Sequence, residues 1–438
     1  MPVNTLGPVG LTAQSMSMAA GTQSLFEGGM RMQAQGMDGR KKGASSHWLA
    51  ILGNANQNRG FSISVDDAGR CIVAGSSAGG LFPVSVFRLT PGGQLLWSNT
   101  LPPTIGSSEG DVSVVANPAG SANLVSGNFL SGAVGFFASI SQAGDIQVQR
   151  NTDQSGNGAR FLSCAVAKTG STYAAGQLLI FSPFQCRSSV VKYTTSGGVD
   201  WARLFEYGGG NSPQYFNGVS LDADENSYVC GVEFGLVAKL NSAGAVQFQK
   251  QITGSFNAKD VAASPSGRFY VVGEEQSAAA VIVCFDPSGS QQWSRSLGGG
   301  VFNAVAVDAS GDVYACGTQG SALCLAKYSS SGRLLWQRTV SGGGGSEGNG
   351  VAVSGNNVYF TGKVSTNADD FLVGKVPADG SKTGTVGALQ YSVSAFADAA
   401  WAYSETSSSL ATTTVTPNNA TPTYTPTPFA LTNSVGDL

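Results

Sequence analysis

The residues with the strongest claim to chemistry in this chain are few. One histidine, His47, occurs in 438 residues. A nucleophilic triad needs an imidazole beside a hydroxyl or thiol and a carboxylate. His47 instead opens a strand-like run, HWLAILG (47–53), with no such partners at a telling spacing. Asp222, Asp224 and Asn226 place side-chain oxygens at every second position, a spacing that can hold calcium. The same stretch reads more simply as a turn, because DDAG and DASG stand at matching places elsewhere. The glycine runs Gly298–Gly300 and Gly342–Gly345 lack the Lys-Ser/Thr pair of a phosphate loop and read as connectors. Asp369 and Asp370 are adjacent where a loop enters a strand, so their side chains diverge. The two acids of a glycosidase can lie far apart in sequence, and nothing here selects such a pair. Seven cysteines include no C-x-x-C pair, which argues against structural zinc. Cys71, Cys230 and Cys316 fall inside strand-like runs as small apolar fillers, the usage of a reducing compartment. No catalytic, cofactor-binding or metal-ligating residue is nominated, and the chain reads as a binding or assembly protein rather than an enzyme.

Composition says what must carry these residues. Glycine numbers 60 and charged residues make up only 12%. That balance suits many short strands joined by tight turns, not helices. The net charge of −3 provides no basic field for nucleic acid. No apolar run approaches the roughly 18 residues of a membrane helix. The first residues lack the basic start and apolar centre of a signal peptide.

A repeat organises the chain. The clearest unit joins VAVDASGDVYACG (305–317) to CLAKYSSSGRLLWQRTV (324–340). Alternating Val305, Val307, Val313 and Ala315 flank a turn at Asp308–Gly311, and a second turn at Ser331-Gly332 separates two further strands. Two such hairpins make a four-stranded antiparallel sheet. The phrase recurs seven times, and the glycine closing each first hairpin falls at 75, 127, 176, 231, 273, 317 and 362. A four-stranded unit with a period of roughly 40–50 residues is a propeller blade. Trp97, Trp201, Trp293 and Trp336 share one phase, in the fourth strand of their units. Trp48 has that phase too, yet precedes the first unit, while the seventh unit has no Trp there. Strand 47–53 is therefore expected to supply the outer strand of the seventh blade and close the ring; ALQYSVSA (388–395) is the rival.

VAVDASGDVYACG, LCLAKYSSSGRLLWQRTV and VAVSGNNVYFTG resemble the bacterial seven-bladed β-propeller (SBBP) repeat family over about 47–381. The resemblance implies an all-β, seven-bladed propeller and brings no catalytic motif.

The ends differ from the ring. Residues 1–46 hold all six methionines, with Gly, Gln and Ser between them, and read as a flexible arm. The basic triplet Arg40, Lys41 and Lys42 reads as a solvated junction. The propeller is placed at 47–382. Residues 383–438 carry three acids and, in ATTTVTPNNATPTYTPTPFALTNSVGDL (411–438), four prolines, which forbid helix and favour extended chain. Phe396, Ala399, Ala400 and Tyr403 fit one short helical face or a bend. Both arms carry apolar side chains without a core of their own, so they are expected to order against other subunits. A charge-poor Ser/Thr/Gly ring without an export signal, flanked by such arms, is similar in style to virion structural proteins of bacteriophages. The functional expectation is a tail or fibre component, with the propeller serving assembly or host attachment. The alternatives are a bacterial cell-surface propeller binding glycan or protein, and a propeller lyase or glycosidase.

Overall fold

By internal contacts the chain divides into residues 1–43 and 44–438. The computed structural model describes residues 47–438 except 55, 79–83, 102–111, 118–120, 127–134, 154–157, 182–183, 207–214, 232–234, 253–255, 277–278, 366–367, 403–404, 408–410, 416–417, 421–426 and 429–431. The N-terminal arm and Arg40, Lys41 and Lys42 lie outside the described residues.

The described chain is a seven-bladed propeller of antiparallel sheets. Its inner strands are Gln57–Val65, Val112–Ala116, Ala159–Val166, Phe216–Leu221, Phe256–Ala263, Val301–Val307 and Ser346–Ser354, one for each of blades 1 to 7. Each blade runs outward from its inner strand by hairpins, as the repeat predicts. Blade 7 takes only three strands from its own unit. Its fourth is Trp48–Gly53, which pairs antiparallel with Asp369–Pro377, Trp48 opposite Lys375. The N-terminal strand thus closes the ring, and 389–393 does not.

Two sequence devices shape the blades. Many connections are five-residue turns opened by Asp, Asn, Ser or Thr and closed around a glycine. In the first, Asp66 Oδ1 accepts the amides of Ala68 at 3.0 Å and Arg70 at 2.9 Å, and Gly69 has φ 74. A short oxygen-bearing side chain holds the turn, and glycine takes the left-handed slot without steric cost. In blade 4 Glu225 occupies that slot at φ 60. The second device is the tryptophan. Five of the six reach across to the next blade and cover the glycine of its last turn. The indole N–H of Trp48 donates to Pro91 O at 2.9 Å, that of Trp97 to Gln142 O at 2.8 Å, and that of Trp201 to Ser242 O at 3.0 Å. Trp293 and Trp336 do the same to Ser330 O and Ala378 O, both at 3.0 Å. A Cβ on Gly93 would sit 2.7 Å from the Trp48 ring, so the latch needs glycine there. Trp48, Trp201 and Trp336 are buried, and Trp97 and Trp293 are half-buried. Each of the seven main apolar clusters spans two neighbouring blades, so the core lies between sheets all round the ring.

The C-terminal segment departs from expectation. It forms no helix at 396–400, where Asp398–Ala400 is a strand. It runs back round the outside of the ring and adds a fifth strand to every blade. From a hairpin on blade 6 (Gly384–Val386 and Leu389–Val393) it passes to blade 5 as Asp398–Ala400 and blade 4 as Glu405–Ser407. Ala411–Val415, Asn418–Ala420 and Thr427–Pro428 follow on blades 3, 2 and 1, and Thr432–Asp437 ends on blade 7 against Trp48–Gly53. There the belt meets its own beginning: Gly436 packs on Val386, and Leu438 lies against Gly384. The expectation that only other subunits could hold this segment is corrected by its pairing with its own ring. The reason is physical: the outer strand of every blade offers a row of unpaired N–H and C=O groups, and an extended chain with proline is tolerated at a sheet edge.

Candidate functional site

The inner strands of all seven blades enclose an axial channel of about 790 Å³. Arg59, Asn217, Lys259, Asn303 and Asn349 line one end, and Val166, Leu221, Val307 and Val353 the other. A bulge in most of the inner strands sets which residues meet the axis, for instance between Phe161 and Ser163 or between Ala258 and Asp260.

At one level of the inner strands, a side chain in each of blades 1, 2, 3 and 5 faces a main-chain N–H of the next blade. Ser62 Oγ accepts the amide of Val114 at 3.1 Å, Ser113 Oγ that of Cys164 at 3.2 Å, and Ser163 Oγ that of Val219 at 3.1 Å. Blade 4 has Gly218 at this level and no oxygen to offer. Asp260 compensates from blade 5: its Oδ1 accepts its neighbour Val261 N at 2.8 Å, and its Oδ2 accepts Val305 N at 2.9 Å. A Cβ on Gly218 would come within 2.9 Å of Asp260 Oδ1, so the glycine makes room for the carboxyl. Burial pushes the Asp260 carboxyl up to about 7, against the two amide bonds that favour its charged form. Blades 6 and 7 carry Ala304 and Gly350 at this level. One residue earlier, Asn217, Asn303 and Asn349 donate their amides to Ala258 O, Gly348 O and Gly60 O at 2.6, 2.8 and 3.0 Å.

The residues singled out from sequence lie elsewhere. His47 immediately precedes Trp48–Gly53, the fourth strand of blade 7, and is not among the residues that line the channel. Burial first, then Lys375 and Lys382, hold its pKa below the usual value. The Asp222–Asn226 stretch is a turn in which both side-chain oxygens of Asp222 are occupied. Asp222 Oδ1 takes the amides of Asp224 and Asn226, and Oδ2 takes Asn226 Nδ2 at 2.8 Å and the Tyr228 hydroxyl at 3.0 Å. Asp369 turns to Ser365 and Lys363, while Asp370 packs against Gly53, so the pair diverges as expected. Gly298, near the end of the strand Gln291–Gly299, and Gly342, just after Leu334–Ser341, sit at positive φ. Cys71, Cys164, Cys230, Cys284, Cys316 and Cys324 are buried free thiols, and burial raises each pKa, that of Cys71 to about 12. Among the described residues no group of three His, Cys, Asp or Glu is placed to hold a metal ion.

No family model matches the chain, and no curated protein matches it. Solved structures do. A catalytically inactive virginiamycin B lyase from Staphylococcus aureus, with quinupristin, is 12% identical with a TM-score of 0.49, over 75% of this chain and 99% of that one. A streptogramin B lyase is 10% identical with a TM-score of 0.48, over 76% and 99%. A protein of unknown function from Bacteroides caccae is 13% identical with a TM-score of 0.34, over 67% and 93%. These are likenesses of fold.

The channel ring was missed in the sequence because Ser, Gly, Ala and one Asp in a strand look unremarkable. A signal was nonetheless present. In five of the seven units the ring residue stands 13 positions before the glycine that closes the first hairpin, as Ser62 does before Gly75 and Asp260 before Gly273.

Proposed function

We propose that this chain is a non-catalytic structural and binding protein, a virion component in which the propeller serves assembly or host attachment. The observation that carries the reading is the belt. A long segment of chain is spent on a fifth strand for every blade, a use that reinforces a scaffold and adds no reactive group. The polar side chains support it too: those of the turns and of the channel ring are engaged in holding main chain. The test is composition of purified particles. Quantitative mass spectrometry is expected to find the protein at fixed copy number per particle, protected from protease in its N-terminal arm. Absence from particles, or turnover of host polysaccharide by the purified protein, would refute the proposal.

A further inference from the structure

Three charged side chains line the axial channel: Arg59, Lys259 and Asp260. The two cations are answered by acids, Arg59 at 3.7 Å from Glu347 and Lys259 at 3.1 Å from Glu274. Asp260 has no partner of opposite charge among the described residues. Its oxygens accept two main-chain N–H groups, but a carboxylate has about four lone-pair sites, and neutral dipoles leave its charge in place. The side chain is only part-buried and borders the channel. The strands packed against its own, Phe216–Leu221, Ser227–Gly231, Phe269–Glu275 and Val301–Val307, bring no cation. Their titratable groups are Tyr228, Cys230, Tyr270, Glu274 and Glu275. Burial keeps the two phenols and the thiol uncharged, and Glu275 accepts the indole N–H of Trp401 at 3.2 Å. Toward the other end the wall is apolar: Val166, Leu221, Val307 and Val353 line it and are only half-buried. On blade 6 the step from Ala304, at the level of Asp260, to Val307 covers about 10 Å of strand, the length of a short alkyl chain. The channel volume of about 790 Å³ falls within the range of small-ligand sites, about 300–1,000 Å³.

We propose that the channel binds an organic ammonium ion with an apolar tail, its N–H groups donating to the Asp260 carboxylate and its tail lying along Val166, Leu221, Val307 and Val353. The inference concerns a ligand inside the ring and stands apart from the virion reading above. A hydrogen bond between an ammonium and a carboxylate is of the strong, charge-assisted kind, and the tail gains by leaving water. Binding follows pH through Asp260 alone. Burial holds that carboxyl at about 7, whereas an alkylammonium, like a lysine side chain, stays charged to about pH 10. Asp260 therefore passes from about one-tenth ionised at pH 6 to about nine-tenths at pH 8, and affinity rises with it.

Isothermal titration of the full chain with hexylammonium and with neutral hexan-1-ol tests it. Saturable binding of hexylammonium is expected at pH 8, about tenfold weaker at pH 6, with hexan-1-ol at least tenfold weaker than hexylammonium at pH 8. Asp260→Ser removes the charge and leaves the hydroxyl by which Ser62, Ser113 and Ser163 already hold the next blade at this level. It is expected to keep its fold, read from the melting temperature, and to weaken hexylammonium at least tenfold at pH 8, with no pH dependence left. Should that variant melt well below the parent, the parent's own pH profile and its preference over hexan-1-ol decide. No saturable binding, equal binding of the alcohol, equal affinity at pH 6 and pH 8, or undiminished binding by the folded variant overturns the proposal. None of these results bears on copy number in particles, so the two readings fail separately.

Discussion

Asp260 serves two amides from two blades with one carboxyl, and that makes it a titratable part of the frame. Unfolded, the group ionises near 3.8; folded, burial raises it to about 7. Between those values the native state holds a proton that the unfolded state has lost, so stability falls as pH rises through this window. Asp286, Asp308, Asp369 and Asp379 have lowered values, and their contribution is lost only below the ordinary carboxylate range. Denaturant titrations of Asp260→Asn between pH 4 and 7 are expected to show a flatter dependence than the parent chain; an unchanged slope would remove Asp260 from this role. Trp48 is the other residue on which much depends. It is wholly buried, latches Gly93 of blade 1 and belongs to the strand that closes the ring. Trp48→Ala is expected to cost about 3–5 kcal/mol, read from urea unfolding, and a loss below about 1 kcal/mol would show that the latch is not structural.

At the scale of the strand, closure and belt separate cleanly. Removing residues 1–46 leaves Trp48–Gly53 in place, so the ring is expected to fold. Removing 1–54 takes the outer strand from blade 7 and strips the partner of Thr432–Asp437, so aggregation is expected in size-exclusion chromatography. A stable monomer lacking 1–54 would contradict this account. Ending the chain after Thr383 exposes the outer edge of every blade, including the edge that Arg295 holds through its ion pair with Asp398. Such a chain is expected to melt lower and to self-associate, because bare strand edges recruit one another. Much of this was legible beforehand. Turn residues and hairpin glycines gave the seven blades, and the phase of Trp48 gave the closing strand, since both are local patterns of period 2 with a fixed punctuation. The belt was not legible. Its strands are as short as Thr427–Pro428, their partners recede along the chain from Ser341 opposite Gln390 to Trp48 opposite Asp437, and the prolines that mark an edge strand equally mark a linker. The channel ring escaped for a related reason: a bulge shifts which residue faces the axis, and no residue type announces the bulge.

At the scale of the whole propeller, the ring of described residues is sealed twice, once by Trp48–Gly53 and once by the belt that overlies it. Pairs such as Trp48 with Lys375 and with Asp437 close very long loops, whose entropy cost grows only slowly with length but whose search slows folding. Hydrogen exchange is therefore expected to protect 432–437 as fully as the inner strands, and early exchange of that strand alone would show the outer seal to be loose. The belt also acts as a ruler. Its seven strands begin between 5 and 9 residues apart, from Leu389 round to Thr432, and its end must reach its own start at Val386. A ring enlarged by duplicating one unit would leave the belt short by one step, and a ring that lost a unit would leave slack. Propellers built only of repeats can change their number of blades by copying one cassette of sequence. Here the count is written a second time, in a segment that bears no resemblance to the repeat, and a change in one copy is rejected unless the other changes with it.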